Sequence, residues 1–297
     1  MATRNLLQST TTFNCGTGGT FGSETGLTPD FPNVQAAANF LYANDDLGGQ
    51  QVDIRILDGS IDPGFRFSGP LVGERGLSGI VVRCSSLGAA VIRPGAGGVN
   101  LGGCAVALDS GSMLSIAECQ MDGFVQAAAG HPQDIIQMGQ GAHIALWGSN
   151  RIMQNSVSYN GITAASLCTI DFQPQSWESS IQNGSHLYIQ GQYQDFIQTD
   201  QDSNVEANCN GGHGLIEFKT EASSVRSKPY WAVAFLDPAS GVMVMSGIDF
   251  NGVGGDGYKY RIRKGATLDL NLVQDPNQAN ALPGSASTAW PVQGYLI

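Results

Sequence analysis

The residues best equipped for chemistry fall between positions 199 and 264. Thr199-Asp200-Gln201-Asp202 precedes Cys209-Asn210-Gly211-Gly212-His213-Gly214, and Arg261-Ile262-Arg263-Lys264 follows. Carboxylates, an imidazole and a basic cluster are materials for cleaving a glycosidic bond. One carboxylic acid protonates the leaving oxygen while a second carboxylate, about 6.5–9.5 Å away in an inverting enzyme, activates water. Asp200, Asp202, His213 and Arg261 are the residues of these types in the segment. Asp195, Asp200, Asp202, Glu206 and Glu217 form the densest acidic stretch. Ca²⁺-assisted elimination would need such carboxylates beside a basic Arg or Lys. Basic company begins only at Lys219 and Arg226, so solvated turns are the better account of these acids, and no metal is expected.

Aromatic faces suit pyranose rings as they suit other apolar planes. Trp177 and Tyr193 are the candidate glycan-binding pair within a set that includes Trp147, Tyr188, Tyr230, Trp231, Tyr258 and Tyr260. His143 and His186 occupy the same repeat position, before an apolar residue, which would let them stack in nearby coils, although a solvated surface is the better account. The six cysteines show no CxxC and no Cys/His metal spacing, so neither zinc nor any cofactor is indicated. Cys84, Cys104, Cys119 and Cys168 read as small buried residues. Cys15 and Cys209 lie in Gly-rich, loop-like contexts. They are expected to be exposed and are the candidates for inter-subunit disulfides under oxidising conditions.

What must position these groups is an all-β chain. Of 297 residues, 40 are Gly and only 13% are charged, yet 42% are hydrophobic. That combination supplies a core and many tight turns between short strands. The net charge of −11 comes without a basic stripe, which argues against nucleic acid as a partner. No window approaches the ~18–20 apolar residues of a membrane span. Residues 1–8 lack the apolar run of a signal peptide, so synthesis in a cytoplasm is expected.

One short pattern recurs: a Gly turn, a small or polar residue, then alternating apolar positions. It appears at Asp109–Ile116, Gly139–Leu146, Gln182–Ile189 and Arg263–Leu270, and more weakly at Asp202–Ala207 and Ala239–Val244. Each copy reads as a turn feeding a strand with one inward face. Intervals of roughly 18–43 residues fit one or two coils of ~20–25 residues each. The expected fold is a single-stranded right-handed parallel β-helix, a solenoid whose ends must be covered.

A helix near Phe31–Ala43, with Asn33 as N-cap and Val34, Ala37, Ala38 and Leu41 on one face, suits that cover. The strand Val52–Leu57 follows and stops at Asp58-Gly59. The expected organisation is an extended N-terminal arm over 1–30, a helix-plus-strand cap over 31–74, the β-helix over 75–273, and a tail over 274–297. The tail ends in an apolar patch that includes Trp290, Tyr295, Leu296 and Ile297. Such a patch docks on its own last coil or on a neighbouring subunit.

The helix Val34-Gln35-Ala36-Ala37-Ala38, the strand Val52–Leu57, and Ile80-Val81-Val82-Arg83 and Ala90-Val91-Ile92-Arg93 resemble the start of β-helical bacteriophage virion proteins. These are tailspikes, tail fibres and related appendages. The resemblance implies a homotrimer attached to other virion proteins through its N-terminal arm, with a flank that sometimes binds or cleaves host glycan. It places the protein in the virion, at the tail, the neck or collar, or the capsid surface. The segment around Gly211-Gly212-His213-Gly214 is similar to the polygalacturonase signature. That similarity implies Asp200 and Asp202 as acid and base, His213 as orienting group, and Arg261 or Arg263 as the carboxylate-binding cation.

Spacing speaks against catalysis, because members of such a site come from successive coils, one strand spacing apart. Asp200 and Asp202 precede His213 by 13 and 11 residues, about half a coil. A structural virion component is the favoured reading, over a glycan-cleaving tailspike or polygalacturonase-like hydrolase and over a non-catalytic carbohydrate-binding protein. Accordingly, Asp202→Asn should leave the action of the protein on capsule or pectin unchanged. A depolymerising activity that disappears in the folded variant would overturn this.

Overall fold

Alternation of apolar and polar residues sets the strands. In Val52–Ile56 the side chains of Val52, Ile54 and Ile56 are fully buried while Asp53 and Arg55 point the other way, as the two-residue period of a strand requires. The computed structural model describes residues 4–94, 104–122, 135–153, 162–165 and 167–173. Beyond them it describes the strand segments 186–190, 195–199, 204–208, 214–219, 232–236, 242–246, 248–252, 258–262, 267–272 and 295–296.

The chain is mostly β, with parallel sheets and one helix among the described residues. From Val52 onward the strands come in trios. The first is Val52–Ile56, Ile61–Asp62 and Phe65–Phe67, and the second is Ile80–Arg83, Val91–Ile92 and Val106–Leu108. Then come Met113–Ala117, Gln120–Asp122 and Ile136–Met138, followed by His143–Trp147, Ser149–Met153 and Ile162–Ala164. Three further trios run from Cys168 to Ile262, and Thr267–Leu272 ends the series. First members pair with first members, second with second and third with third, always in parallel. The result is a ten-stranded long sheet and two seven-stranded sheets, here called the second and third.

Along the long sheet, Ile54, Val82, Ile116 and Leu146 stand opposite one another in register. All four are at most 1% exposed. Ile92, Met121 and Ile152 do the same in the second sheet, and Phe65, Val106, Ile136 and Ile162 in the third. All join one core cluster. Burying each of these side chains stabilises the fold by about 1.5–3 kcal/mol.

Turns into the long sheet match the repeated sequence pattern. The Ser112 N–H donates to Asp109 O and the Ala142 N–H to Gly139 O, each at 3.0 Å. Gly111 and Gly141 supply φ of 74° and 69° at these turns, which a residue with a Cβ adopts only at a cost. At the next corner buried Asn150 serves the backbone. Its Oδ1 accepts the Cys119 N–H at 3.0 Å and its Nδ2 donates to Trp147 O at 3.0 Å.

Three expectations change. Partners along the long sheet lie 25 residues apart (Val244 and Asp269) to 41 (Thr11 and Val52), from the upper end of the ~20–25 expected to well beyond it, because long connections separate the strands. The trios also start earlier, since Val52–Phe67 lies inside the span assigned to a cap. Within 1–30, Thr11–Cys15 pairs along its whole length with Val52–Ile56. That segment is therefore the first strand of the long sheet and not a free arm.

The segment 30–44 closes this first end. The helix Val34–Asn44 is capped by Asn33, whose Oδ1 accepts the Ala36 N–H at 2.9 Å. Val34, Ala37, Ala38 and Leu41 are buried, as expected. In the long sheet, Asn14 donates its N–H to the Asp30 carboxylate at 2.8 Å, and its carbonyl accepts from the Asp30 N–H at 2.8 Å. In the second sheet, the Asp62 carboxylate accepts the Val34 N–H at 2.8 Å. In the third, the Gln35 amide pairs with Arg66 as a strand would: its Oε1 accepts the Arg66 N–H at 2.6 Å and its Nε2 donates to Arg66 O at 3.2 Å. Phe13, Phe31 and Phe40 pack against one another, with ring centroids 5.1–5.9 Å apart.

Gln35 is 8% exposed, so Gln35→Ala strands both Arg66 peptide groups and is expected to cost about 1–3 kcal/mol. Asn33→Ala should cost about 1 kcal/mol. Urea unfolding of both variants checks the order, and a Gln35→Ala cost below the Asn33→Ala cost would contradict the pairing.

Candidate functional site

Most of the sequence-derived site residues lie outside the described residues. These are Asp200, Asp202, His213, Trp177, Tyr193, Cys209, Trp290 and Ile297. Arg261 belongs to the third-sheet strand Tyr258–Ile262, opposite Phe235. Tyr295 and Leu296 form the last strand of the long sheet, paired with Thr267 and Leu268 of the same chain. The tail thus reaches its own sheet at these two residues.

Two expectations are corrected by placement. His143 lies in the long sheet between Met113 and Thr169, whereas His186 lies in the second sheet opposite Ser149. The two strands that begin with these histidines are not partners, because they belong to different sheets. Cys15 is fully buried at the end of Thr11–Cys15, not exposed in a loop. Burial pushes its thiol far up from the ordinary value, with Asp62 and Asp30 adding to the effect. A thiol so placed is not presented to a neighbouring subunit by the folded chain.

The richest polar assembly sits on the outer face of the long sheet. Asp53, 7% exposed, accepts a fork from Arg83, with Nε on Oδ1 at 2.8 Å and Nη2 on Oδ2 at 2.9 Å. Arg55 adds Nε on Oδ2 at 3.0 Å and reaches Glu24 with Nη1 at 2.9 Å. Register makes this possible: Arg55 and Arg83 are direct partners in adjacent strands. Phe21 lies over both guanidinium groups, 4.9 and 5.0 Å from its ring centre. Phe21 and Glu24 come from the antiparallel hairpin formed by Thr20–Phe21 and Glu24–Thr25, which therefore clamps the sheet from outside. Asp58 fastens the same hairpin by accepting the Gly22 N–H at 2.9 Å.

Two more forks repeat the arrangement on other faces. Arg93 donates Nε and Nη2 to Asp122 Oδ2 at 2.8 and 2.6 Å, while Gln120 engages Oδ1 at 2.9 Å. Arg66 binds Asp109 Oδ1 with Nε at 2.8 Å. Each fork joins one trio to the next. The oxygens of Asp53 and Asp122 are taken up by these donors, so neither carboxylate is offered to a substrate. Among the described residues, no group of three or more His, Cys, Asp or Glu could hold a metal ion, and no helix is long and apolar enough to cross a membrane.

Sequence reasoning missed two buried carboxyls. Burial raises Asp62 from 3.8 to about 6, against the lowering effect of the Val34 and Gly64 N–H groups. Glu74 is raised by burial from 4.5 to about 7; its Oε2 accepts the Leu71 N–H at 3.0 Å while Oε1 has no partner among the described residues. A raised carboxyl suits a general acid. Asp62, however, is spent on closing the helix end, and Glu74 on tying its own loop. Neither is signalled by sequence, since both shifts arise from burial.

No family model, curated protein or solved structure matches this chain.

The two carboxyls set a pH dependence. A carboxyl with a folded pKa above its unfolded value binds more protons folded than unfolded in the interval between them. Its contribution is intact below about pH 4 and is lost as pH rises through 6 for Asp62 and 7 for Glu74. Glu74→Gln should flatten the upper part of this fall. Denaturant unfolding between pH 4 and 8 tests it, and stability that climbs across pH 5–7 in proportion to these groups would refute the assignment.

Proposed function

We propose that the three sheets wind as a single right-handed parallel β-helix. We further propose that this rod is a structural component of a bacteriophage particle, a trimeric fibre or spike at the tail, the neck or the capsid surface. Two features support the winding. Every third strand pairs in parallel with the same sheet, and crossovers between parallel strands of one sheet are right-handed in about 98% of cases.

The observation that carries the structural reading is the use made of charge. The forks Arg83–Asp53, Arg93–Asp122 and Arg66–Asp109 run between successive trios. Among the described residues these ion pairs thus brace one trio against the next. A braced, end-closed rod of low charge content suits a part that bears load and repeats, and a virion appendage is such a part. Partners follow from that reading: two further copies of the chain, neighbouring virion proteins at the closed N-terminal end, and host-surface glycan along the flank.

Light scattering on the purified full chain is expected to return three times the 31.1 kDa monomer, and antibody labelling should mark phage particles by electron microscopy. A stable monomer, or particles that carry no label, would sink this proposal.

A further inference from the structure

We infer that Cys84 and Cys119 are a built-in disulfide site that closes on oxidation and ties two successive trios together. Their sulfur atoms are 3.4 Å apart, and the residues are 1% and 0% exposed. Cys84 directly follows the strand Ile80–Arg83, and Cys119 lies between Met113–Ala117 and Gln120–Asp122. The two long-sheet strands are neighbours, with Arg83 opposite Ala117. The Cys84 N–H donates to Ala117 O at 3.1 Å.

That ladder holds the flanking backbones about 4.8 Å apart, and a disulfide spans Cα separations of about 4.4–6.8 Å. Asn150 fixes the Cys119 corner from the following trio through the Cys119 N–H. The sulfurs therefore reach bonding distance, about 2.05 Å, by small side-chain rotations on backbone that is already placed.

Hydrogen peroxide, small enough to enter during local opening, is a sufficient oxidant. One thiolate attacks a peroxide oxygen; an S–O bond forms, the O–O bond breaks and hydroxide leaves. The second sulfur then displaces hydroxide from that sulfenic acid as the S–S bond forms. Two thiols and one peroxide give one disulfide and two waters, with two electrons passing from sulfur to oxygen. Burial pushes the Cys119 thiol well up, and the adjacent Cys84 adds to this. Thiolate is scarce at neutral pH, so closure quickens as pH rises. The bond closes a loop across 35 residues, which restricts the unfolded chain.

The test uses the reduced full-length chain, exposed to peroxide from pH 7 to 9. It is then unfolded, alkylated and digested for mass spectrometry. The expected product is a peptide pair joining Cys84 to Cys119, accompanied by a rise in Tm on the order of 5 °C. Cys84→Ser and Cys119→Ala should each abolish both. Recovery of the two residues as free or separately oxidised thiols, or a crosslink from either to a different cysteine, overturns the inference. The wild-type crosslink decides the matter even where a variant fails to fold.

Discussion

A parallel strand uses only half its peptide groups on each neighbour, so a sheet built from parallel strands cannot simply stop. The outermost strand presents N–H and C=O groups that are costly to bury unpaired and that invite another chain when left open. In this protein three sheets begin together, and each meets the problem differently. A carboxylate and a peptide N–H satisfy Asn14 in the long sheet. A primary amide imitates a strand for Arg66 in the third. Beside them, the Asp62 carboxylate binds the first peptide of the helix to the second sheet. The segment 30–44 is thus shaped less by its own helical preference than by what three sheet edges require of it.

Once closed, the parallel sheets are held in register by two kinds of ladder. Inside, aliphatic side chains meet in line from trio to trio, and a slip of one residue would turn that whole set outward. Outside, the arginine forks enforce the same register through charge. A single exposed ion pair is worth little. Asp53, however, is nearly buried and shared by two guanidinium groups beneath an aromatic ring, so its loss would leave both cations facing each other across one strand spacing.

Local structure was legible where a side-chain period expresses it. The strand at Val52, the strand at Ile80, the helix with its Asn33 cap and the Gly turns at 111 and 141 all follow from alternation, capping preference and positive φ. Which sheet a strand joins does not, because the same Gly-containing pattern precedes a long-sheet strand at His143 and a second-sheet strand at His186. For that reason His143 and His186 looked equivalent and are not. Cys15 looked exposed because its neighbours are glycines, yet strand pairing with Ile56 and the packing of segment 30–44 bury it. Gln35 gave no sign of its role, since an amide that completes a distant sheet edge resembles any polar helix residue. The contact between Cys84 and Cys119 rests on a register that spans 35 residues and that no local window contains. The candidate catalytic set came from a local resemblance around Gly211–Gly214, and the strands that flank it, Asn204–Asn208 and Gly214–Lys219, belong to different sheets.

The position of the closed end within the chain gives growth a direction. Closure and the first complete trio both lie before residue 68, so synthesis from the N-terminal side makes them before any later trio. Every later trio then emerges beside a finished edge and needs to order only its own residues against a fixed template. The nascent chain is in this sense its own mould, filled from one end.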